Sequence, residues 1–480
     1  MNFSCKSFIL FLQRRLKLTK QEIIEKVITP IENAGFKAYF VGGCVRDELT
    51  GKTPHDYDIS TNATPDEINK IFGVTGTRKA NLYGVAMPII NGEQVEIATW
   101  RSDLTRGRHP TIKFSNKIED DAFRRDFTVN ALYEDREGNI IDPTGMGLKD
   151  IETNTLRFVG KAVDRITEDP LRIFRYARFV ASKGFAANEE DVAEIEKHIL
   201  NTGTALVFAD VSVERQCAEL IKTFGGKDFS MECFDMMDRL GIFSAINLDV
   251  MLAQMAKAPQ NPKWHSEGDV EKHTRLVVEA AIKRAKKIKD EKERFVLVMA
   301  ALLHDCGKPE SGRKNGINPK NGYPRTKDHA EVGAKIAYKF LRDLKLDCAT
   351  AHRIEGLVAN HMKMHQLGKM DKKFSIMSVL NLPDFDLLCE LCRSDSDGCI
   401  KTATDDDEVN IDEALSSPKI ASLIGQPIPA PIVTGDDLIA LGFKPSEKFR
   451  KALEVAHKDQ VNNGKTDKAI LISNIKGLLK

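Results

Sequence analysis

The most constraining feature of the sequence is a glycine pair that ends an apolar run and precedes two closely spaced carboxylates. Residues 38–41 predict a strand, and Gly42 and Gly43 follow it directly. Without a Cβ, the backbone of such a pair can come close to a triphosphate. Asp56 and Asp58 are two positions apart, so on a strand both carboxylates face the same way and can hold hard cations side by side. The pattern predicts a metal-dependent phosphoryl-transfer site.

Neighbouring residues extend this pattern. Arg46 can supply a guanidinium fork to a phosphate. Residues 95–99 predict a strand that carries Glu96, which is a candidate third carboxylate or a solvated strand charge. Asn91 and Gly92 indicate a hairpin turn before that strand. Each short motif also occurs in ordinary surface turns, but their order and tight spacing favour a functional site in an α+β domain.

Two longer motifs allow a comparison with a known family. Residues 123–131 read Phe-Arg-Arg-Asp-Phe-Thr-Val-Asn-Ala, and residues 168–178 read Glu-Asp-Pro-Leu-Arg-Ile-Phe-Arg-Tyr-Ala-Arg. With these motifs, residues 22–260 resemble the class II tRNA nucleotidyltransferases, the CCA-adding enzymes, together with the bacterial poly(A) polymerases that share their head. The resemblance implies a polymerase beta-like nucleotidyltransferase head followed by a mostly helical neck and body.

The same resemblance implies roles for individual side chains. Asp56 and Asp58 would be catalytic and would hold Mg²⁺, while Asp169 and Arg172 would select cytosine or adenine without a nucleic-acid template. Residues 213–219 resemble the neck-helix motif that braces the base-reading helix. The other residues expected to bind the nucleotide are Gly43, Arg46, Arg125, Arg175 and Arg178.

The segment at residues 100–110 is polar and lacks periodicity, which predicts a mobile loop. It contains Arg101, Arg106, Gly107 and Arg108. In the family that the chain resembles, a flexible loop lies between the carboxylates and the Arg-Arg-Asp motif, and enzymes that add only the two cytidines lack it. The resemblance therefore implies that the terminal adenosine can also be added.

A second set of chemically capable residues lies in the later part of the chain. Residues 295–303 predict an apolar helix that ends in His304 and Asp305. Imidazoles and carboxylates from separate helices of a bundle can form a divalent-metal site, although any single histidine could be a hydrogen-bonded core residue. Residues 265–400 resemble an HD-superfamily phosphohydrolase domain. That resemblance implies the metal ligands His273, His304, Asp305 and Asp395, with His329 and His361 available for a second ion or the phosphate.

The length and charge of the chain bear on the number of domains and on how RNA could be bound. At 480 residues the chain is too long for one core. Lys and Arg number 71 against 70 Asp and Glu, so RNA contacts must come from local basic surfaces rather than from net charge. We expect a basic N-terminal extension at 1–21, a head at 22–150, a helical neck and body at 151–260, an HD domain at 265–400, and a linker with a small helical tail at 401–480.

The composition also bears on the compartment. The nine cysteines are scattered, and the one C-x-x-C pair, Cys389 and Cys392, has no second pair at zinc-finger spacing, which favours reduced thiols and a cytoplasmic protein. No apolar run approaches the ~18 residues needed to span a membrane. The basic extension is a candidate transit peptide, but a basic first helix is the favoured interpretation.

The resemblance implies an enzyme that builds or repairs the 3′-terminal CCA of tRNA from CTP and ATP. Its expected cofactors are Mg²⁺ in the head and a divalent metal of unspecified identity in the HD domain, where the fusion implies phosphatase or 2′,3′-cyclic phosphodiesterase activity. The alternatives are a poly(A) polymerase, a CC-adding enzyme, an alarmone-type synthetase and hydrolase, or an RNA-binding protein with a decayed head. In the alarmone enzymes the HD module comes first, which is the reverse of the order here.

Overall fold

The structure is a computed structural model that describes residues 18–74, 83–105, 111–400 and 410–479. Most of the predicted N-terminal extension and the first part of the predicted linker lie outside these ranges. The chain divides into two compact units, Met1–Asn247 and Leu248–Lys480. Within the described ranges, no helix is both long and apolar enough to cross a membrane.

The first unit is built on a mixed sheet in the order β10-β9-β1-β2-β6-β3. Strands β1 and β2 are antiparallel, and β2 runs parallel to β6 with Ile59 opposite Ile97. The strands are β1 Ala38–Val41, β2 Ile59–Thr61, β3 Val85–Ala86, β4 Ile89–Ile90, β5 Glu93–Gln94, β6 Ile97–Thr99, β7 Arg101–Asp103, β8 Ile112–Phe114, β9 Tyr133–Glu134, β10 Ile140–Ile141, β11 Thr155–Leu156 and β12 Ala186–Ala187.

Helices pack against this sheet, and the part of the unit that follows it is mostly helical. The α+β prediction is therefore confirmed. A π-helical turn, Ile24–Ile28, joins α1 to α2, and the buried side chains Val27, Ile28 and Ile31 pack into the core beneath β1. The helices are α1 Lys20–Ile23, α2 Thr29–Asn33, α3 Gly43–Leu49, α4 Pro65–Ile71, α5 Ile118–Ala122, α6 Gly147–Glu152, α7 Ala162–Glu168, α8 Leu171–Lys183, α9 Glu189–Thr202, α10 Thr204–Val207, α11 Val213–Phe224, α12 Met231–Arg239 and α13 Ile242–Ala245.

Three details of the sequence interpretation differ from the structure. Asp56 and Asp58 were expected on a strand, but β2 begins at Ile59, so both carboxylates lie in the segment just before it. The predicted Asn91–Gly92 turn does join a hairpin, but its strands are β4 and β5, and the strand predicted at 95–99 begins only at Ile97, so Glu96 lies just before it. The segment 100–110 was predicted to be a loop, yet Arg101–Asp103 forms β7 and pairs with β8. A strand of three residues depends on its hydrogen bonds to β8, and it is too short to show an alternating hydrophobic pattern in the sequence. Residues 106–110, with Arg106, Gly107 and Arg108, lie outside the described ranges.

The second unit is helical. Asp269 caps α15 by accepting from Lys272 N, and this start places His273 in the first turn. The helices are α14 Leu248–Ala256, α15 Val270–Ala285, α16 Glu291–Leu303, α17 Lys308–Asn315, α18 His329–Asp343, α19 Cys348–His365, α20 Lys373–Leu380, α21 Phe385–Gly398, α22 Ile411–Ser416, α23 Pro418–Ala421, α24 Gly435–Ala440, α25 Glu447–Asn463 and α26 Lys468–Leu479.

A close helix crossing organises this unit. Helix α15 packs on α21, and at Gly398 the two backbones meet so closely that a Cβ would lie 2.7 Å from Val277 N. This approach brings His273 on α15 next to Asp395 on α21. The last helices, α24 to α26, bury a separate small core around Leu438 and Leu471.

We predict opposite effects for two helical glycine-to-alanine changes. Gly398→Ala should lower the free energy of unfolding by about 1–3 kcal/mol because the added methyl overpacks against Val277. Gly356→Ala, in α19, should raise it by about 0.5–1 kcal/mol, since no atom lies within 4 Å of the new Cβ. Urea unfolding of the full chain measures both. Equal effects of the two changes would contradict the tight crossing at Gly398.

Candidate active sites

The first site begins where β1 ends. Gly42 has φ +74° and ψ −119°, a conformation that favours glycine, and it turns the chain from β1 into α3. A Cβ on Gly42 would lie 3.3 Å from Arg125 Nη1. Val41 N donates to the Asp58 carbonyl at 3.1 Å, which ties the end of this strand to the carboxylate segment. The turn, Arg125 and Asp58 are therefore neighbours.

Three carboxylates gather at the same edge of the sheet. Asp58 immediately precedes β2, and Glu96 immediately precedes the parallel strand β6, with Ile59 N donating to Glu96 O at 3.0 Å. Burial and the charges of Glu96 and Asp56 raise the pKa of Asp58 to about 6, although Arg125 acts in the opposite direction. Such mutual repulsion is relieved by a bound cation, so the donor set fits Mg²⁺.

This edge opens into a cleft of about 900 Å³. Asp56, Asp58 and Glu96 all line the cleft, and Lys20 borders it from α1. The volume lies within the range of sites that hold small molecules such as nucleotides. Glu96, which the sequence left as either a third carboxylate or a solvated charge, therefore shares the cleft with the aspartate pair.

Arg46 is placed differently from a free phosphate ligand. Its side chain is buried, and its guanidinium donates to Asp47 Oδ1 at 2.6 Å and to Asn130 Oδ1 at 2.5 Å. The neighbouring Gly43 begins α3, and a Cβ there would lie 3.7 Å from Arg46 Nη2. These bonds fix Arg46 beneath the turn.

Asp121 is a residue of this candidate site that the sequence interpretation missed. Its fully buried carboxylate accepts from Arg125 Nη2 at 2.9 Å and from the Tyr133 hydroxyl at 2.7 Å, and it forms an ion pair with Arg124. Burial alone would raise the pKa of Asp121, but Arg125 and Arg124 hold it well below its usual range. The acidic run just before the Arg-Arg-Asp motif was the available signal.

The arginines of α8 each have an acidic partner. Arg172 Nη1 lies 2.6 Å from Glu168 Oε2, Arg175 Nε donates to Asp126 Oδ2 at 2.8 Å, and Arg178 Nε lies 3.0 Å from Glu219 Oε2. These three pairs hold the predicted base-reading helix to the segments around it.

Asp169 likewise forms an ion pair with Arg215 of α11 at 2.8 Å. Together with the pair between Arg178 and Glu219, this contact agrees with the interpretation that residues 213–219 brace the base-reading helix. The structure thus brings Asp169 and Arg172 to the junction of α7 and α8, where each is held by a partner of opposite charge.

The second site lies among the helices of the second unit. His273 Nε2 is 3.0 Å from Asp395 Oδ1, and His304 Nε2 is 3.2 Å from Asp305 Oδ2. His329 and His361 approach the other Asp305 oxygen at 3.3 Å and 3.9 Å. The four expected metal ligands and the two accessory histidines therefore converge in one buried cluster.

Hydrogen bonds to backbone carbonyls orient three of these imidazoles. The Nδ1 atoms of His304, His329 and His361 lie 2.8, 2.6 and 2.7 Å from backbone carbonyl oxygens, which can only accept. Each Nδ1 therefore carries the proton, and each Nε2 turns its lone pair inward. Among the described residues, His304 Nε2 and both Asp305 carboxylate oxygens are buried without a hydrogen bond. Asp305 Oδ2 does form an ion pair with Lys308, 2.6 Å away, and the inward-facing lone pairs of the set fit a divalent cation.

Burial alone would lower the pKa of His273, but Asp395 and Glu267 raise it to about 9, so this ring must lose a proton to bind a metal. The other charges in the cluster favour binding. Burial alone would raise the pKa of Asp305, but His304 and Lys308 hold it well below the usual range. Burial lowers the pKa of His361 to about 3, so this ring is neutral near pH 7. Ionised carboxylates and neutral imidazoles are the forms that bind a metal.

His365 is a further member that the sequence interpretation missed. Its Nε2 lies 3.0 Å from Asp395 Oδ2, and it lines the cleft of about 560 Å³ in front of the cluster. It follows His361 by four residues on α19, so the i, i+4 spacing was a readable signal.

Comparisons with known proteins match the two units separately. Residues 38–157 match the poly A polymerase head domain, and residues 270–391 match the HD domain. The chain contains a poly A polymerase head domain and an HD domain. The three carboxylates and the Arg-Arg-Asp motif fall in the head domain, and the histidine cluster falls in the HD domain apart from Asp395.

Curated relatives carry the name CCA-adding enzyme. The protein of Geobacillus kaustophilus is 34% identical over 241 residues, covering 50% of this chain and 57% of the relative. That of Leuconostoc mesenteroides is 39% identical over 222 residues, covering 45% and 53%. The chain thus matches a little over half the length of these relatives.

Solved structures share the fold over nearly the whole chain. The CCA-adding enzyme of Bacillus stearothermophilus in complex with CTP has a TM-score of 0.64 at 22% identity, covering 96% of this chain and 98% of that one. The Thermotoga maritima CCA-adding enzyme complexed with tRNA has a TM-score of 0.57 at 16% identity and covers 98% of both chains. At these identities the likeness establishes the fold.

We predict that Arg175→Gln destabilises the head domain in a pH-dependent way. It removes a cationic partner from the buried carboxylate of Asp126 and should lower the free energy of unfolding by about 2 kcal/mol at neutral pH. Burial alone would raise the pKa of Asp126, and Arg175 holds it below its usual range. The difference in free energy of unfolding between the original chain and the variant should therefore become smaller as the pH falls and Asp126 takes up a proton.

Urea unfolding at about pH 7 and about pH 4.5 measures this difference, because the ordinary aspartate pKa is about 4. Arg239→Gln is the matched control, since Arg239 pairs with Glu189 and Glu196 at the surface and should cost about 0.5 kcal/mol or less at either pH. A deficit for Arg175→Gln that does not change with pH would contradict the pairing with Asp126.

Proposed function

We propose that this chain adds the 3′-terminal CCA to tRNA from CTP and ATP, without a nucleic-acid template and with release of pyrophosphate. The observation that carries the proposal is the carboxylate edge of Asp56, Asp58 and Glu96 in a nucleotide-sized cleft of a poly A polymerase head domain. The named relatives, and the neighbours solved with CTP and with tRNA, support these substrates. We further propose a cytoplasmic location.

In this proposal the tRNA 3′-hydroxyl attacks the α-phosphate of the incoming nucleotide. Asp56 and Asp58, with Glu96, would hold Mg²⁺, which when bound lowers the pKa of that hydroxyl and neutralises charge developing on the phosphate. The glycine turn lets the triphosphate approach the backbone. Arg125, held by Asp121 and Tyr133 next to that turn, is oriented to stabilise the transferring phosphoryl group.

Arg46 contributes indirectly in this proposal. Its buried guanidinium bridges Asp47 and Asn130, so it fixes the shape of the turn that receives the triphosphate. Base choice would rest on Asp169 and Arg172, whose carboxylate and guanidinium together match the hydrogen-bonding edge of a base. Arg175 and Arg178, paired with Asp126 and Glu219, would hold α8, the helix that carries Arg172, in position.

We expect Asp58→Asn to lower nucleotide incorporation into tRNA by more than about 100-fold for both CTP and ATP, because it removes a metal-binding charge. Incorporation of radiolabelled nucleotide into a tRNA transcript lacking its CCA end measures the loss. Asp210→Asn, an exposed aspartate of the same unit, is the matched control and should be unaffected. Full activity of Asp58→Asn would refute the assigned site.

Arg172→Ala should change the choice between nucleotides more than the overall rate. We expect the ratio of kcat/KM for CTP and ATP to move by about tenfold, since discrimination depends on hydrogen bonds that the alanine cannot make. Arg239→Ala, at the surface of α12, should leave the ratio unchanged. An equal fall for both nucleotides would assign Arg172 to helix positioning through Glu168 instead.

We also propose a metal-dependent phosphohydrolase activity for the HD domain. His273, His304, Asp305 and Asp395 would hold the ion, with His329 and His361 available for a second ion or the phosphate. The bound metal would supply an activated water for phosphoester hydrolysis. Lys308, which lies 2.6 Å from Asp305 Oδ2 and lines the cleft, is placed to attract an anionic substrate.

For this activity we predict that Asp305→Asn lowers divalent-ion-dependent hydrolysis of bis(p-nitrophenyl) phosphate by more than about 100-fold while CCA addition stays unchanged. The two sites lie in separate compact units, which is the reason for the independence. Asp343→Asn, exposed on α18, should leave both activities intact. If Asp305→Asn kept its hydrolytic activity, the HD cluster would not be the site of hydrolysis.

A further inference from the structure

A second group of donor atoms lies beside the HD cluster. It consists of His265 Nδ1, Glu267 Oε1, His273 Nδ1 and Cys399 Sγ, and all four atoms lie within 4.8 Å of one another. Only His273 belongs to the HD motif, through its other ring nitrogen. The remaining three residues lie outside the proposed ligand set of the hydrolytic centre.

Backbone hydrogen bonds bring these residues together. The loop before α15 is closed by Gln260 N donating to Gly268 O at 2.8 Å, which folds His265 and Glu267 back toward His273. Ser266 N donates to Ile400 O at 2.8 Å, so the chain that leaves α21 runs alongside this loop. The group is therefore assembled from two segments whose relative position is already fixed.

The donor atoms face a common point. Glu267 Oε2 accepts from Ile400 N at 3.1 Å, which leaves Oε1 turned toward His265 Nδ1 at 2.8 Å and His273 Nδ1 at 3.0 Å. Cys399 Sγ lies 3.6 Å from His265 Nδ1. The spacing is that of side chains gathered around one small centre.

His273 supplies the independent observation. Its ring is fully buried, and among the described residues Nδ1 makes no hydrogen bond of acceptable geometry, even though Glu267 Oε1 is 3.0 Å away. A buried ring nitrogen of this kind normally donates to a well-aligned acceptor or binds a metal. Its Nε2 is directed to Asp395, on the side of the HD centre.

From this arrangement we propose that His265, Glu267, His273 and Cys399 form a second metal site that binds a zinc-class ion. A thiolate, two imidazoles and one carboxylate are the ligand types of four-coordinate zinc, whereas Mg²⁺ and Ca²⁺ prefer oxygen donors alone. On binding, the Cys399 thiol, which lies 2.9 Å from Trp264 O, releases its proton to solvent. With both sites filled, His273 would lose both ring protons to solvent and offer one ring nitrogen to each site.

The position of this site indicates what the ion does. Trp264, His265 and Cys399 all line the cleft in front of the HD cluster. The ion would fasten the loop that carries Trp264 to the segment that follows α21, and it would hold His273 in place from the side opposite Asp395. It is a structural site that shapes the hydrolytic cleft, and it does not depend on the proposed reaction in the head domain.

Cobalt substitution tests the site without an activity assay. The purified full chain is stripped with a chelator and titrated with Co²⁺, and near-ultraviolet absorption is recorded. A thiolate ligand gives a sulfur-to-cobalt charge-transfer band, which the nitrogen and oxygen donors of the HD centre do not give. We expect the band in the original chain and its loss in Cys399→Ser. Cys348→Ser, which changes an exposed cysteine of the same unit, should keep it.

Two further variants separate this site from its neighbour. Asp395→Asn should lose hydrolysis but keep the thiolate band, whereas His265→Gln should lose the band. Far-ultraviolet circular dichroism checks that each variant is folded. Absence of the band from the original chain, or an unchanged band in Cys399→Ser, would overturn the proposal and leave a hydrogen-bonded group only. If the original chain gave the thiolate band but no hydrolysis, the hydrolytic proposal would be wrong while the second metal site would stand.

Discussion

Neutralisation of carboxylates that are removed from water is the constraint on which both units depend. In the head domain, Asp121 and Asp126 are buried against Arg125 and Arg175, and these pairs fix the turn and the base-reading helix. Losing one partner of such a pair is costly because the other charge stays behind. Asp58 differs from these two, since burial and its acidic neighbours raise its pKa instead of lowering it. Its neighbours Asp56 and Glu96 are also carboxylates, which is the arrangement that a cation would neutralise.

The HD domain meets the same constraint with imidazoles. Asp305 is surrounded by the Nε2 atoms of His304, His329 and His361, whose Nδ1 protons are held by backbone carbonyls, so these Nε2 atoms point inward. The tight crossing at Gly398 holds two of the contributing helices at the required distance. Packing, second-sphere hydrogen bonds and ligand geometry are therefore parts of one arrangement, and a change in any of them alters the cluster.

Sequence motifs predicted the parts of both sites that depend on local order. The glycine turn follows from a strand ending where φ must be positive, whereas Asp56 and Asp58, which the spacing placed on a strand, lie just before β2. The helical second unit with His304 and Asp305 at a helix end was likewise readable from an apolar run. The partners of Arg175 and Arg178 were not readable, because Asp126 is 49 residues from Arg175 and the pairing depends on tertiary packing. Glu267 and Cys399 were missed for the same reason.

The most direct test of the central claim is the length of the product made on a tRNA transcript that lacks its CCA end. The purified chain is incubated with Mg²⁺ and with CTP alone, ATP alone or both, and the products are resolved at single-nucleotide resolution. CCA addition predicts two added residues with CTP alone and three with both. A long ladder with ATP alone would contradict the account and indicate a poly(A) polymerase, and two residues without a terminal adenosine would indicate a CC-adding enzyme.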